Sequence, residues 1–214
     1  NVSSTWGTGL AENRTGSMNL KWEVSTKTNF GIDARFFDDK VDMTVDFFHT
    51  KTTDIFQRRA NIPDEGGLSN VLPYANIGSM KSWGMDGTLA YTHTFNKDMA
   101  LTVRGNFTHA ENEVIYWEQS GVNYPYQSNS GVPYKVQRGL IALGLFKDED
   151  DIKSSPKQTF MDNYRPGDIK YKDVNGDGKI DKDDVVPLNY SAVPFIQYGF
   201  ALDWNYKAFR VSIL

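Results

Sequence analysis

Residues 173–184 read DVNGDGKIDKDD and hold the densest run of oxygen donors in the chain. Asp173, Asn175 and Asp177 fall at positions 1, 3 and 5 of a calcium-type loop, Gly178 at the sharp turn, Lys179 where a backbone carbonyl is used, and Asp181 two residues on. Hard oxygens at this spacing converge on one ion because the turn folds alternate side chains inward. Many flexible donors favour calcium over magnesium. Asp184 stands where a bidentate Glu is usual, and its shorter arm predicts weaker, monodentate binding. The same residues also suit a Gly/Asn/Asp turn whose carboxylates cap backbone amides without metal.

Other chemistry is thinner. A hydrolase needs a Ser beside a His and a carboxylate, yet His49, His93 and His109 share the parity of the apolar residues in their segments. Each also falls near a strand end, where an amphipathic ring suits a membrane interface. The chain has no cysteine, which removes disulfides, thiolate zinc sites and thiol nucleophiles. The run Asp148, Glu149, Asp150, Asp151 lies between Lys147 and Lys153 and reads as a solvated loop. Tyr116, Trp117, Tyr124, Tyr126 and Tyr134 could stack on a sugar ring, although packing of the loops upon themselves is the simpler expectation. No catalytic residue is assigned.

Strands must position these groups. From residue 25 onward apolar and polar residues alternate with period two. In residues 26–37, Phe30, Ile32, Ala34 and Phe36 alternate with Asn29, Asp33 and Arg35; after a short turn, Val41, Met43, Val45 and Phe47 face away from Asp42, Thr44 and Asp46. The hairpin recurs over residues 81–95 and 101–108, and again over 196–205 and 209–213. Three tight turns contrast with connections of about 27 and about 80 residues, roughly 53–79 and 112–193, all leaving from one end. Short turns at one end and long loops at the other fit an outer-membrane barrel. Charged Asp33, Arg35, Asp42, Asp46, Asp86, Arg104 and Asp203 keep to one face, Phe30, Val45 and Val103 to the other. The fold expected is all-β, with six or seven antiparallel strands; a half-exposed sheet of a soluble protein would alternate in the same way, and the one-sided long loops favour strands of a transmembrane β-barrel with long extracellular loops.

Composition agrees. Of 214 residues 39% are hydrophobic, and 5 Trp, 11 Tyr and 13 Phe are typical of strand-rich chains. Net charge is -4 with scattered basic residues, so nucleic acid is not an expected partner. The longest apolar run, about 139–146, is too short for a spanning helix. An opening Asn1 and an alternating run that reaches Leu214 lead us to expect a piece of a longer protein.

Several segments resemble one family. Residues 18–23 (MNLKWE), 28–33 (TNFGID) and 36–40 (FFDDK) are similar to a recurring "LKWE, then NxGxD, then a strand turn" pattern. Residues 46–54 (DFFHTKTTD) resemble a "DYYxKxTxD" strand end, and residues 139–146 (GLIALGLF) a "GxxADGIF" stretch without its acidic residue. PGDIKYKDVNGDGKIDKDD, residues 166–184, is the most specific match. Together they resemble the SusC/RagA-type TonB-linked outer-membrane transporters.

That resemblance implies that residues 1–214 are part of a TonB-dependent barrel of about 22 strands, with the plug and final strands outside this sequence. It implies import of oligosaccharides or peptides, a SusD-like lipoprotein at the extracellular mouth, TonB contacted through the absent N-terminal part, and outer-membrane lipid around the barrel. A surface-exposed glycan- or protein-binding β module without transport is the alternative.

Overall fold

A computed structural model describes residues 16–17, 19–62 and 72–214. Met18 of the tryptophan-bearing motif and residues 63–71 of the first long connection lie outside the described residues.

The alternating segments form strands. β1 (Val24–Phe36) and β2 (Val41–Arg58) make the first hairpin, β3 (Tyr74–Asn96) and β4 (Met99–Tyr116) the second. The chain then builds β5 (Val136–Gly139), β6 (Ala142–Leu145), the helix α1 (Glu149–Ser154), β7 (Lys157–Gln158), β8 (Ile169–Tyr171), β9 (Lys179–Ile180) and β10 (Val186–Ser191). β11 (Ile196–Tyr206) and β12 (Phe209–Ile213) complete the third hairpin. The three hairpins join in one antiparallel sheet of six strands, ordered β1-β2-β3-β4-β11-β12.

Tight reversal demands left-handed backbone at the turns. Phe37, Asp38 and Asp39 take φ of 57°, 55° and 63°, and Lys207 takes 51°. Aspartate tolerates this region because its short side chain bonds locally; at the second turn the Asn96 side-chain oxygen accepts the Asp98 amide at 2.9 Å.

The register separates the two faces as expected. Ile32, Val45, Gly87, Phe107 and Tyr198 lie in one row across five strands, while Arg35, Asp42, Ala90, Arg104 and Ala201 form a row on the opposite face. Asp33, Asp46 and Arg104 therefore share a face that excludes Phe30, Val45 and Val103. Phe30, Tyr198 and Phe200 are 63%, 72% and 71% exposed, a continuous apolar surface that water does not favour and hydrocarbon does. Among the described residues the buried apolar side chains are Val114, Phe146, Ile180 and Val186, all toward the loop end. The sheet has no dry core of its own.

Two strands outrun their sequence signal. Alternation fades after about residue 52, yet β2 continues to Arg58 and β3 begins at Tyr74. A register shift between Thr52 and Ile55, with Asp54 at φ 58°, inserts a bulge that flips the side-chain parity. β3 has 23 residues, about 75 Å at ~3.3 Å per residue, against the 9–11 residues that span hydrocarbon. The strands thus project well beyond a bilayer at the loop end. The acidic run forms a helical turn instead of an open loop: Asp148 caps α1 by accepting the Asp151 amide at 2.8 Å, and the acids of the first turn complement the positive end of the helix.

Candidate functional site at the loop end

The connection between β4 and β11 is a small lobe folded over the projecting strand ends. β5 pairs with β10 and β6 with β8, while β7 and β9 run parallel through Lys157 and Lys179. Its centre is dry: Ile180 and Asp184 are fully buried and Gln158 is 1% exposed.

Asp184 closes the acidic loop from inside. One oxygen accepts the Val174 amide at 2.7 Å and the Asn175 amide at 3.4 Å, and the other accepts the Asp181 amide at 2.9 Å. Both ends of the loop are tied to this one carboxylate, a role its spacing did not announce. Asp173 accepts the Gly176 amide at 2.6 Å and the Gly178 amide at 2.8 Å, one on each oxygen. Asn175 accepts from the Asp177 amide at 3.1 Å, Asp177 from the Lys179 amide at 2.9 Å, and Asp181 from the Asp183 amide at 2.8 Å. Gly176 and Gly178, at φ 77° and 83°, supply the left-handed positions. Lys179 lies opposite Lys157 in the parallel bridge, whose bonds run from the Lys157 amide to the Gly178 carbonyl at 3.3 Å and from the Thr159 amide to the Ile180 carbonyl at 3.0 Å.

The six candidate ligands are thus brought into one loop, with every side-chain oxygen just named bonded to backbone amides. Among the described residues no three His, Asp or Glu side chains converge on a point that could hold a metal ion. The donor set is still one of hard oxygens, and a carboxylate offers about four lone-pair sites, of which the amide bonds on Asp173 use two.

Loop aromatics pack against this turn. Tyr124 and Tyr126 stack with centroids 5.3 Å apart at 5°. The Tyr126 hydroxyl donates to the Asp183 carbonyl at 2.6 Å, and the Asn175 amide nitrogen donates to the Tyr124 hydroxyl at 3.2 Å. Burial and the neighbouring negative groups raise the Tyr126 phenol above its usual range. Arg138 donates to the Tyr126 carbonyl at 3.0 Å and to the Ser128 carbonyl, so these tyrosines serve the packing role. Tyr116 and Tyr134 remain 46% and 42% exposed.

A second tie joins the two long connections. Arg59 Nε donates to both Glu118 oxygens, at 3.1 and 2.9 Å, and the Ala60 amide donates to Glu118 Oε2 at 2.8 Å. Burial alone would raise the Glu118 carboxyl; the Arg59 bond and charge with the Ala60 and Asn61 amides outweigh it and hold it below the ordinary glutamate range. Arg59 and Glu118 are 59 residues apart, so no local pattern could reveal the pair. Nearer α1, Lys170 at 2.8 Å and the Lys147 amide at 3.1 Å lower the Asp151 carboxyl.

Below the lobe, the inward face carries Arg35 paired with Asp42 at 3.1 Å and Arg210 paired with Asp203 at 3.1 Å. Asp46 and Asp86 stand directly opposite each other. The histidines follow the outward parity: His49 lies opposite Trp83, His93 packs edge-on to Phe95 at 4.4 Å, and His109 contacts Glu111 at 3.3 Å.

Comparison with known proteins agrees with this geometry. Residues 1–212 match the family described as TonB dependent receptor-like, beta-barrel. The chain is 29% identical to TonB-dependent receptor P39 of Formosa agariphila, over 96% of this chain and 23% of that protein. It is 26% identical to TonB-dependent receptor SusC of Bacteroides thetaiotaomicron, over 91% and 19% respectively. In fold it is similar to a chain of the RagAB peptide transporter, with a TM-score of 0.69 and 23% identity over 99% of this chain and 23% of that one. The chain spans about a fifth of the length of these relatives.

Proposed function

Because this chain belongs to the TonB-dependent receptor-like β-barrel family, we propose that it is a barrel segment of an outer-membrane importer that takes up large nutrients with energy delivered through TonB. The observation that carries the reading is the two-faced sheet: a continuous apolar exterior, a charged interior, tight turns at one end and a folded lobe at the other. A sheet with no dry core is suited to lipid on one side and a polar lumen on the other. It is poorly suited to the alternative of a free-standing binding module, which would have to bury that apolar face.

Oligosaccharides or peptides are the substrate class we propose, and a SusD-like lipoprotein is the partner at the loop end, where the lobe stands clear of the bilayer. The protein acts as a gated conduit with no bond made or broken, so its residues position and exclude, with no group transfer. Deleting the full-length gene should abolish uptake of labelled oligosaccharides or peptides, and a version unable to engage TonB should fail to restore it. Uptake unchanged in both strains would refute the transport reading.

For the acidic loop we propose calcium. Asp173, Asn175, Asp177, Asp181 and Asp184 would offer side-chain oxygens and Lys179 its carbonyl, and bound calcium would supply a charged clasp across the turn. What supports this is the all-oxygen donor set and the lone pairs left on Asp173. The rearrangement needed to bring these donors onto one point, together with the short arm of Asp184, makes the proposed affinity modest.

A further inference from the structure

We propose that the outward surface of β2, β3, β4 and β11 holds one phosphate-bearing lipid of the outer leaflet in a fixed place, its phosphate on Lys51 and Lys81 and an acyl chain in the groove over Gly87 and Gly105. The proposal rests on the outward face being the lipid face.

Lys51 and Lys81 are direct cross-strand partners of outward parity. Like charges directly opposite repel; Glu113 offsets the charge of Lys81 only, so an anion between the two lysines would satisfy the unpaired Lys51 and relieve what remains of that repulsion. Lys81 lies 2.9 Å from Glu113 and 5.3 Å over the Trp83 ring. Lys51 is exposed and has no ion-pair partner among the described residues. Glu111, in contact with His109, and Glu113 both stand on β4, one strand beyond Lys81. The open side of the lysine pair therefore faces β2, away from them. Trp83 follows Lys81 on the same face, toward the turns, at the level where an aromatic belt meets headgroups.

An apolar groove of about 440 Å³ begins one outward position nearer the turns, at Met85. Met43, Met85, Phe107 and Phe200 wall it, and the backbone at Gly87 and Gly105 floors it. From Lys81 to Met85 is four residues, about 13 Å along the strand, a separation suited to a lipid phosphate and its upper chain. Glycines inside strands weaken them, and such glycines mark places where another group comes close to the backbone. All four strands are paired in the sheet on both sides, so the groove is complete within this chain. Flexible Met side chains adapt to an acyl chain's shape.

The test uses the full-length protein in mild detergent, delipidated, then given lipid A or its dephosphorylated form and examined by native mass spectrometry. Wild-type protein should retain one lipid A and little of the dephosphorylated form. Lys51→Ala, at an exposed position, should lower retention tenfold or more, and Gly105→Val, which fills the groove, should do the same. Lys97→Ala, at the opposite end of the strands, should leave it unchanged. Equal retention by Lys51→Ala and wild type, or equal retention of both lipids, overturns the proposal. A protein that stays monodisperse without detergent and takes up neither lipid would instead show that the membrane reading itself had failed.

Discussion

Replacing Glu118 with Gln keeps the side chain's volume and removes its charge, which isolates the tie between the two long connections. Glu118 accepts the single Arg59 Nε hydrogen, shared between its two oxygens, and the Ala60 amide. Bonds to an ionised group contribute about 1.5–3 kcal/mol each when buried, but the Arg59 side chain is 37% exposed and water takes over part of its share. The expected net loss is about 2–3 kcal/mol, which at 1.4 kcal/mol per tenfold is roughly a 30- to 150-fold loss of protection. Hydrogen exchange at the Ala60 amide of the full-length protein reads this directly, with amides in the middle of β3 as reference. The sign with pH follows from the lowered carboxyl of Glu118. Its stabilisation is present above the ordinary glutamate range and is lost as pH falls through the lowered folded value. Wild-type protection at Ala60 should therefore decline in acid, while the Gln variant should be nearly flat. Exchange less than about threefold faster in the variant, or an equal change in β3, would refute the clamp.

Four further outcomes are expected. Gly84→Ala should lower the folded yield of the full-length barrel, because an added Cβ would run into the His109 carbonyl oxygen and lie 2.9 Å from the Ala110 Cα; overpacking of this kind costs about 1–3 kcal/mol, and heat-shifted electrophoresis scores it. Val45→Arg should destabilise the barrel by about 2–4 kcal/mol if that face meets lipid at mid-depth, whereas Thr44→Arg, on the lumen side, should be tolerated in denaturant titration. Tyr126→Phe should cost about 1 kcal/mol through the lost bond to the Asp183 carbonyl, read as earlier proteolysis of the lobe. Calorimetric titration with calcium should give heat with wild type and none with the Asp173→Ala, Asp177→Ala variant, and equal heats would remove calcium from the loop.

The sheet was legible because its signal is local. Residues such as Ile32, Val45 and Val103 declare their face through immediate neighbours, and each hairpin turn is short enough to be read from Asp38 or Asn96. The bulge at Asp54 was hidden, since one extra residue inverts parity and erases the very alternation that marks a strand. In the acidic loop, the spacing of Asp173, Asn175 and Asp177 identified the turn. The internal role of Asp184 could not be seen, because it depends on Val174 and Asn175 folding back over it. The Arg59–Glu118 pair and the docking of Tyr126 on Asp183 join residues 57 to 59 apart, and ordinary loop composition carries no trace of such partners.

The lobe's private core bears on how the sheet is assembled. β4 and β11 must find each other across roughly 80 residues, and closing so long a loop costs about 3 kcal/mol more than closing a two-residue turn. Once β5 has paired with β10, only about 20 residues separate β4 from β5, and a handful separate β10 from β11. A search through a long, slack tether becomes the docking of two nearly adjacent ends. A lobe that collapses early thus acts as a splint for the seam between the second and third hairpins, and damage to it should be felt first as slow barrel assembly.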